Sequence, residues 1–338
     1  MRATIYDVAR EAGVSISTVS RVLNGTSPVK EAKRQLVLEA AGALGYVPNP
    51  AALSLLNKRT GGLGVVLPFV SGEFFSELLN ALDTTAQALG YYLIISTSHS
   101  RAEEFQRTID ALDRRIDGLI VMAPELDAEG TASLLTSDTP VVFVNTQTEG
   151  LDADAINFDN FAGGRMVTEH LLALGHRRIA LAAGPERTWD ARERRRGYRS
   201  AMIEAGLDPD ALEVDGGFAR EDGYAAAQAL LERTPRPTAI VAANDYCAFG
   251  AMSALHDAGV SVPDEVSVCG FDGLTSGQYF VPSLTTARVP LGEVGSRAVR
   301  QLAARLDAGT ADAPPHVEVV PVELVVRGST RVREPSGA

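Results

Sequence analysis

The segment Ile16-Ser17-Thr18-Val19-Ser20-Arg21-Val22-Leu23-Asn24 has two faces if it is helical. Val19, Val22 and Leu23 fall on one; Ile16, Ser17, Ser20, Arg21 and Asn24 fall on the other. The second face combines a guanidinium fork, hydroxyls, an amide and a small apolar group. That chemistry reads base edges in the DNA major groove, where an arginine fork meets guanine O6 and N7. Other reactive residue types are present but not assembled. His99, His170, His176, His256 and His316 are scattered, and are expected in loops or facing solvent. Cys247 and Cys269 lack metal-ligand spacing and read as small buried residues of a reducing compartment. No strand is followed by GxGxxG, and no GxSxG elbow, P-loop or HExxH pair occurs. An enzyme is not expected, and neither a cofactor nor a bound metal.

The elements that must carry the outer face follow from local signals. Thr4 is an N-cap for a helix through Ile5, Val8, Ala9 and Ala12, and Gly13 ends it. Ser15 caps the second helix after a linker of about three residues. Leu36, Val37, Ala40 and Leu44 mark a third helix before Gly45-Tyr46. This is a helix-turn-helix pattern; a small bundle that merely packs on another domain has the same pattern. Residues 1–60 hold eight basic and four acidic residues, whereas the whole 338-residue chain has net charge −12. A basic head on an acidic body predicts that the head alone meets a polyanion.

The runs TIYDVAREAGVSISTVSRVLNG and LGYVPNPAA resemble the DNA-binding head of the LacI family of bacterial transcriptional repressors. The resemblance implies that Ile16, Ser17 and Arg21 read bases. It implies backbone or flanking contacts for Tyr6, Thr18, Ser20 and Asn24. Lys30 departs from the serine usual at the cap of the third helix. Asn49-Pro50 then opens a segment, residues 51–57, with helical propensity but only about two turns of length, too short to stand alone. In the family such hinge helices pair across a dimer and enter the minor groove. The match places the wedging leucine at Leu55 and the helix–helix contact at Ala52, while Leu53 replaces the usual arginine. A plain linker is the alternative.

Beyond residue 60 the pattern changes to short apolar runs alternating with amphipathic helices. Strands are predicted at 63–69, 91–96, 117–122, 140–144, 178–183, 238–242 and 266–270. Helices are predicted at 74–89, 160–174, 190–205, 220–232 and 245–258. Parallel sheets covered on both faces follow, and two α/β lobes, since one sheet would be too large. The stretches INFDNFAGGRMVTEHLLALGHRRIALAAGP, AIVAANDYCAFGAM, VSVCGFDG and PSLTTARVPLGEVG extend the resemblance to about residue 330. They imply the two-lobed periplasmic-binding-protein core. Its divisions would be a head at 1–48, a hinge at 49–60, an N-lobe at 61–161 plus 290–322, and a C-lobe at 162–289 plus 323–332.

Carried over position by position, the resemblance puts Phe74 and Phe75 on the N-lobe side of an effector cleft. It puts Arg192, Asn244 and Asp272 on sugar hydroxyls and Phe218 against the ligand face. Asp159, Thr188 and Asp190, with Trp189, lie on cleft-facing loops. Structural alternatives accompany these assignments: Asp272 as a strand-ending turn, residues 192–196 as a solvated helix face, Phe75 and Phe218 as core. The expected protein is a homodimeric repressor of carbohydrate-use genes, binding double-stranded operator DNA and released by a sugar or sugar derivative. A purine-type corepressor protein of the same family is the alternative, followed by a transport-type sugar-binding protein. The N-terminus has no apolar signal core and no apolar run approaches about 20 residues, which predicts a cytoplasmic location without a membrane. The tail from Arg333 lacks leucine heptads, which predicts no coiled-coil tetramer.

Overall fold

The computed structural model describes residues 3–24, 29–46, 59–99, 102–112, 115–135, 139–308 and 314–333. Chain contacts divide it into a small unit, formed by residues 1–62 and 114–117, and a large unit holding the rest. The hinge positions Ala52 and Leu55 lie outside the described residues.

In the small unit, α1 (Ile5–Glu11), α2 (Ile16–Asn24) and α3 (Glu31–Ala43) close on one core. Val8, Ala9, Ala12, Val19, Val37, Ala40 and Ala41 are buried there, with Ile5, Val14, Val22 and Leu23 packed against them. Thr4 and Asp7 form a reciprocal capping box at the start of α1. Gly13 turns the chain with φ +63°, a conformation costly for other residues. Ser15 Oγ accepts the Thr18 N–H at 3.2 Å, so the second cap forms as expected. Lys30 gives α3 no side-chain cap, as its departure from the family pattern implies.

The large unit contains two six-stranded sheets. The first is built from β1 (Gly62–Leu67), β2 (Tyr92–Thr97), β3 (Gly118–Val121), β4 (Val141–Val144), β5 (Asp154–Phe158) and β11 (Val317–Val320). Its order is β2-β1-β3-β4-β5-β11. The second uses β6 (Ile179–Ala182), β7 (Glu213–Val214), β8 (Ala239–Ala242), β9 (Ser267–Asp272), β10 (Thr285–Arg288) and β12 (Glu323–Val325). Its order is β7-β6-β8-β9-β10-β12, and only β12 runs antiparallel, against β10. The chain therefore passes between sheets three times: after β5, after β10 and after β11. Central strands such as GLIV, VVFV, IALA and AIVA are buried throughout, as parallel strands covered on both faces must be.

The covering helices are α4 (Glu73–Ala88), α5 (Ala102–Leu112), α6 (Ala128–Leu134), α7 (Asn160–Ala173), α8 (Trp189–Glu204), α9 (Arg220–Leu231), α10 (Asp245–Asp257) and α11 (Leu291–Ala308). All seven predicted strands and five predicted helices are present, with ends shifted by a few residues. Helix pairs α7–α8 and α9–α10 meet backbone to backbone. A β-carbon at Gly164 would lie 2.2 Å from the Arg194 carbonyl oxygen, and one at Gly197 2.1 Å from that of Phe161. Gly223 and Gly250 face Cys247 O and Arg220 O in the same way, at 1.9 and 1.8 Å.

His176 lies in the loop before β6, as expected of the histidines, but His170 sits half-buried on α7, with Nε2 3.0 Å from Thr330 Oγ1. His99, His256 and His316 are exposed, but His176 is buried, with Nδ1 3.0 Å from Thr238 Oγ1 and Nε2 3.2 Å from the Arg331 carbonyl oxygen. It ties the C-terminal segment to the second sheet. Both cysteines are buried, and burial raises the Cys247 thiol to about 11 and Cys269 further.

Candidate functional site

Helix α2 presents its polar face outward. Ile16 is 40% exposed, and Ser17 and Arg21 are exposed; Thr18 and Ser20 are half-buried. The Thr18 hydroxyl bonds Ser15 Oγ at 2.9 Å, which makes Thr18 part of the cap. Arg21 makes no hydrogen bond or ion pair to the described residues, so its fork stays open. Tyr6 on α1 is 68% exposed. The backbone of Asn24 belongs to α2, but its side chain lies outside the described atoms.

The second cluster gathers at the carboxyl ends of the strands in both sheets. Asn145 follows β4, Asp159 and Asn160 follow β5, Ala243 and Asn244 follow β8, and Asp272 ends β9. Helix α8 contributes Asp190 and Arg194, both about 95% buried. A continuous chain of hydrogen bonds joins them. Asn145 Nδ2 donates to Asp190 Oδ2 at 3.2 Å, and Asn160 Nδ2 donates to Asn145 Oδ1 at 2.8 Å. Arg194 Nε donates to Asn160 Oδ1 at 3.0 Å, and its Nη1 to the Ala243 carbonyl at 2.7 Å. The same Nη1 stands 3.5 Å from Asp272 Oδ1. The guanidinium also lies over the Phe271 ring, 3.7 Å from its centroid, and 5.7 Å from that of Phe218. Arg194 Nη2 and Asp272 Oδ2 meet no partner among the described residues.

Burial raises the Asp272 carboxyl to about 7; Arg194 opposes the shift and Asp190 adds to it. Fully buried Asp245, which accepts from Leu274 N at 2.7 Å and Thr286 Oγ1 at 2.6 Å, is raised well above the carboxylate range by burial and then by Asp272. Glu125, just past β3, is raised to about 6 by burial.

Several residues assigned from the sequence also make contacts within the chain. Arg192 Nη1 donates to the Glu186 and Arg187 carbonyls at 3.3 and 3.2 Å, and its Nη2 to Gln147 Oε1 at 3.2 Å. It braces the loop before α8, whereas Arg194 reaches Asp272. Asn244 caps α10 through Cys247 N at 2.8 Å and donates to the Phe218 carbonyl at 3.2 Å, fixing the Phe218 loop. Asp159 caps α7 through Ala162 N at 2.8 Å, and Thr188 Oγ1 donates to the Pro185 carbonyl at 3.0 Å. Phe74 is buried, edge-on to Phe75 and Phe158. Phe75 and Phe218 are half-buried. Arg194, Asn145, Asn160 and Glu125 escaped the sequence reading. Arg194 was legible in principle: it shares a helical stripe with Asp190, Ala191, Tyr198 and Ala201, all buried. Among the described residues no group of three or more His, Cys, Asp or Glu is placed to hold a metal ion, and no helix is long and apolar enough to cross a membrane.

A family model for bacterial regulatory proteins of the lacI family matches residues 4–49, and one for a periplasmic binding protein-like domain matches residues 168–330. Over 336 residues the chain is 36% identical to the HTH-type transcriptional regulator DegA of Bacillus subtilis, covering 98% of each. The chain belongs to the LacI family. It is a DNA-binding transcriptional regulator, with the helix-turn-helix head and two-lobed α/β core of LacI-family proteins. Its fold matches a lac repressor dimer bound to operator and the anti-inducer ONPF with TM-score 0.90 and 32% identity, over 98% of this chain and 100% of that one. It also matches a complex of the transcriptional regulator CelR with cellobiose, with TM-score 0.73 and 31% identity, over 97% and 100%.

Proposed function

We propose that this LacI-family protein is a cytoplasmic, homodimeric repressor, not an enzyme, that leaves its operator when a neutral sugar binds between the two sheets. The observation that carries the sugar reading is the open pair formed by Arg194 Nη2 and Asp272 Oδ2. A donor and an acceptor left open on two buried side chains match adjacent hydroxyls, each of which donates and accepts. The Phe218 ring beside them offers a face for the apolar side of a pyranose. The CelR–cellobiose likeness points the same way. The lobes of this reading are residues 61–161 with 290–322 and residues 162–289 with 323–332, a division supported by the strand membership of the two sheets. Residues 49–60 would carry their relative movement to the head.

Dimerisation is supported by a contiguous exposed apolar run, with Tyr279 77% and Val281 97% accessible, and by the dimeric lac repressor likeness. Selecting binding sites from random duplex DNA, then repeating gel shifts on the winning site with added sugars, tests the proposal. The expected result is a palindromic site, released by at least one neutral sugar. Phe218 also suits a flat base, so a purine that strengthens the DNA complex would overturn both the ligand class and the direction.

A further inference from the structure

Glu125 stands where the strand order of the first sheet reverses, just past the end of β3, and takes no part in the Arg194–Asp272 pair. Its Oε1 lies 3.4 Å from the hydroxyl of Ser98, a buried residue just past β2. Its Oε2 is buried and meets no donor among the described residues. The Glu125 backbone N–H bears on the carboxylate and opposes the effect of burial, but no neighbouring side chain donates to Oε2. Asp190 is a second carboxylate, its Oδ1 held by Ala191 N at 2.8 Å and its Oδ2 by Asn145. Arg187 is exposed and acts on Glu125 only through its charge. The Trp189 N–H donates to the Pro124 carbonyl at 2.7 Å, which sets the Glu125 loop against the start of α8, the helix that carries Asp190 and Arg194. Buried acceptors in folded proteins are otherwise met by a partner, and the described side chains supply none for Oε2.

We propose that Glu125 is a second effector-binding group, on the first sheet's side of the cleft. It selects ligands that present a hydroxyl or amino group there and rejects those that present an anion. The inference rests on the sugar-effector reading and sharpens it. Arg194 keeps only Nη2 open and its charge is shared with Asp272, so a phosphate near Glu125 would face the Glu125 and Asp190 carboxylates without a cation of its own among the described residues. An amine would meet both carboxylates favourably.

Calorimetric titration of the full-length protein with glucose, galactose, cellobiose, glucosamine, glucose 6-phosphate and hypoxanthine tests this, repeated on Glu125→Gln and Glu125→Ala. The best neutral sugar should lose about tenfold or more in affinity on Glu125→Ala. Glucosamine should bind more tightly than glucose, and that preference should vanish in Glu125→Gln. Glucose 6-phosphate should fail to bind the parent protein. Ligand-free melting temperatures of both variants should equal or exceed the parent's, since an unmet carboxylate is removed; a lower value marks a structural role and overturns the proposal. Equal affinity of the best sugar for parent and both variants overturns Glu125 alone. Hypoxanthine as sole binder, or no binding across the panel, overturns the sugar reading and this inference with it.

Discussion

Arg21 projects from α2 with no intramolecular partner among the described residues, and its chemistry is that of a base reader. Replacing it with alanine is expected to weaken the selected DNA site by about 1–3 kcal/mol per bidentate contact and to relax preference at one position of each half-site. Gel shifts on single-base variants at two salt concentrations check this; an equal loss on every sequence would reassign Arg21 to the phosphate backbone. Asp272 is the opposite kind of residue, buried and held at φ +113°, where side chains other than glycine are strained. Its folded carboxyl is raised to about 7 from an ordinary 3.8. The folded state thus holds the proton more tightly, so this group's stabilisation is complete below pH 4 and is lost as pH rises to about 7. Asp272→Asn removes that loss and tolerates positive φ. Its melting temperature should exceed the parent's at pH 8 and converge with it only near pH 4, while sugar affinity falls. A parent and variant with parallel pH profiles would contradict the assignment. Residue type was legible at this scale but direction was less so: Arg192 and Arg194 are two positions apart, and only the helical stripe tells which enters the cleft.

At the scale of elements, what positions Arg194 is the contact between α7 and α8, where Gly164 and Gly197 bring the two backbones together. Gly197→Ala places a methyl group 2.1 Å from a carbonyl oxygen that cannot move without its helix. Overpacking of this kind costs about 1–3 kcal/mol or more, and urea unfolding should show at least that loss. A conservative change at Arg196, 65% exposed in its side chain on the outer face, should leave stability within about 0.5 kcal/mol. The strands that sequence alone revealed were short apolar runs, buried on both faces except for β2 at the sheet edge, which is half exposed. Those it missed lack that signature: β7 has two residues, β10 is Thr-Thr-Ala-Arg, β11 and β12 are half exposed, and β5 opens on Asp154, whose charge is held by Arg305. Tertiary pairing, not local pattern, makes these segments strands.

For the whole molecule, the basic head and acidic body set the salt dependence of DNA binding, and the hinge is expected to set its geometry. Leu55→Ala should lower DNA affinity and bending while leaving dimerisation and sugar binding intact, because an apolar wedge compensates unstacking only by filling the opened base step. A variant that bends DNA as the parent does would return residues 51–57 to a plain linker. The three passages between sheets carry a further consequence, for synthesis. Five strands of the first sheet lie within residues 62–158, but the sixth, beside β5, is residues 317–320. The head has all its helices by residue 43 and can close while the ribosome is still making the body. The first sheet, begun next, keeps the edge beside β5 open until residues 317–320 emerge, so the oldest part of the core waits on a segment about 160 residues later for its seal. Arrested nascent chains ending before Val317 should be cut by protease within residues 62–158 far faster than released protein, and chains extended past Val325 by a linker long enough to clear the ribosomal exit tunnel should resist.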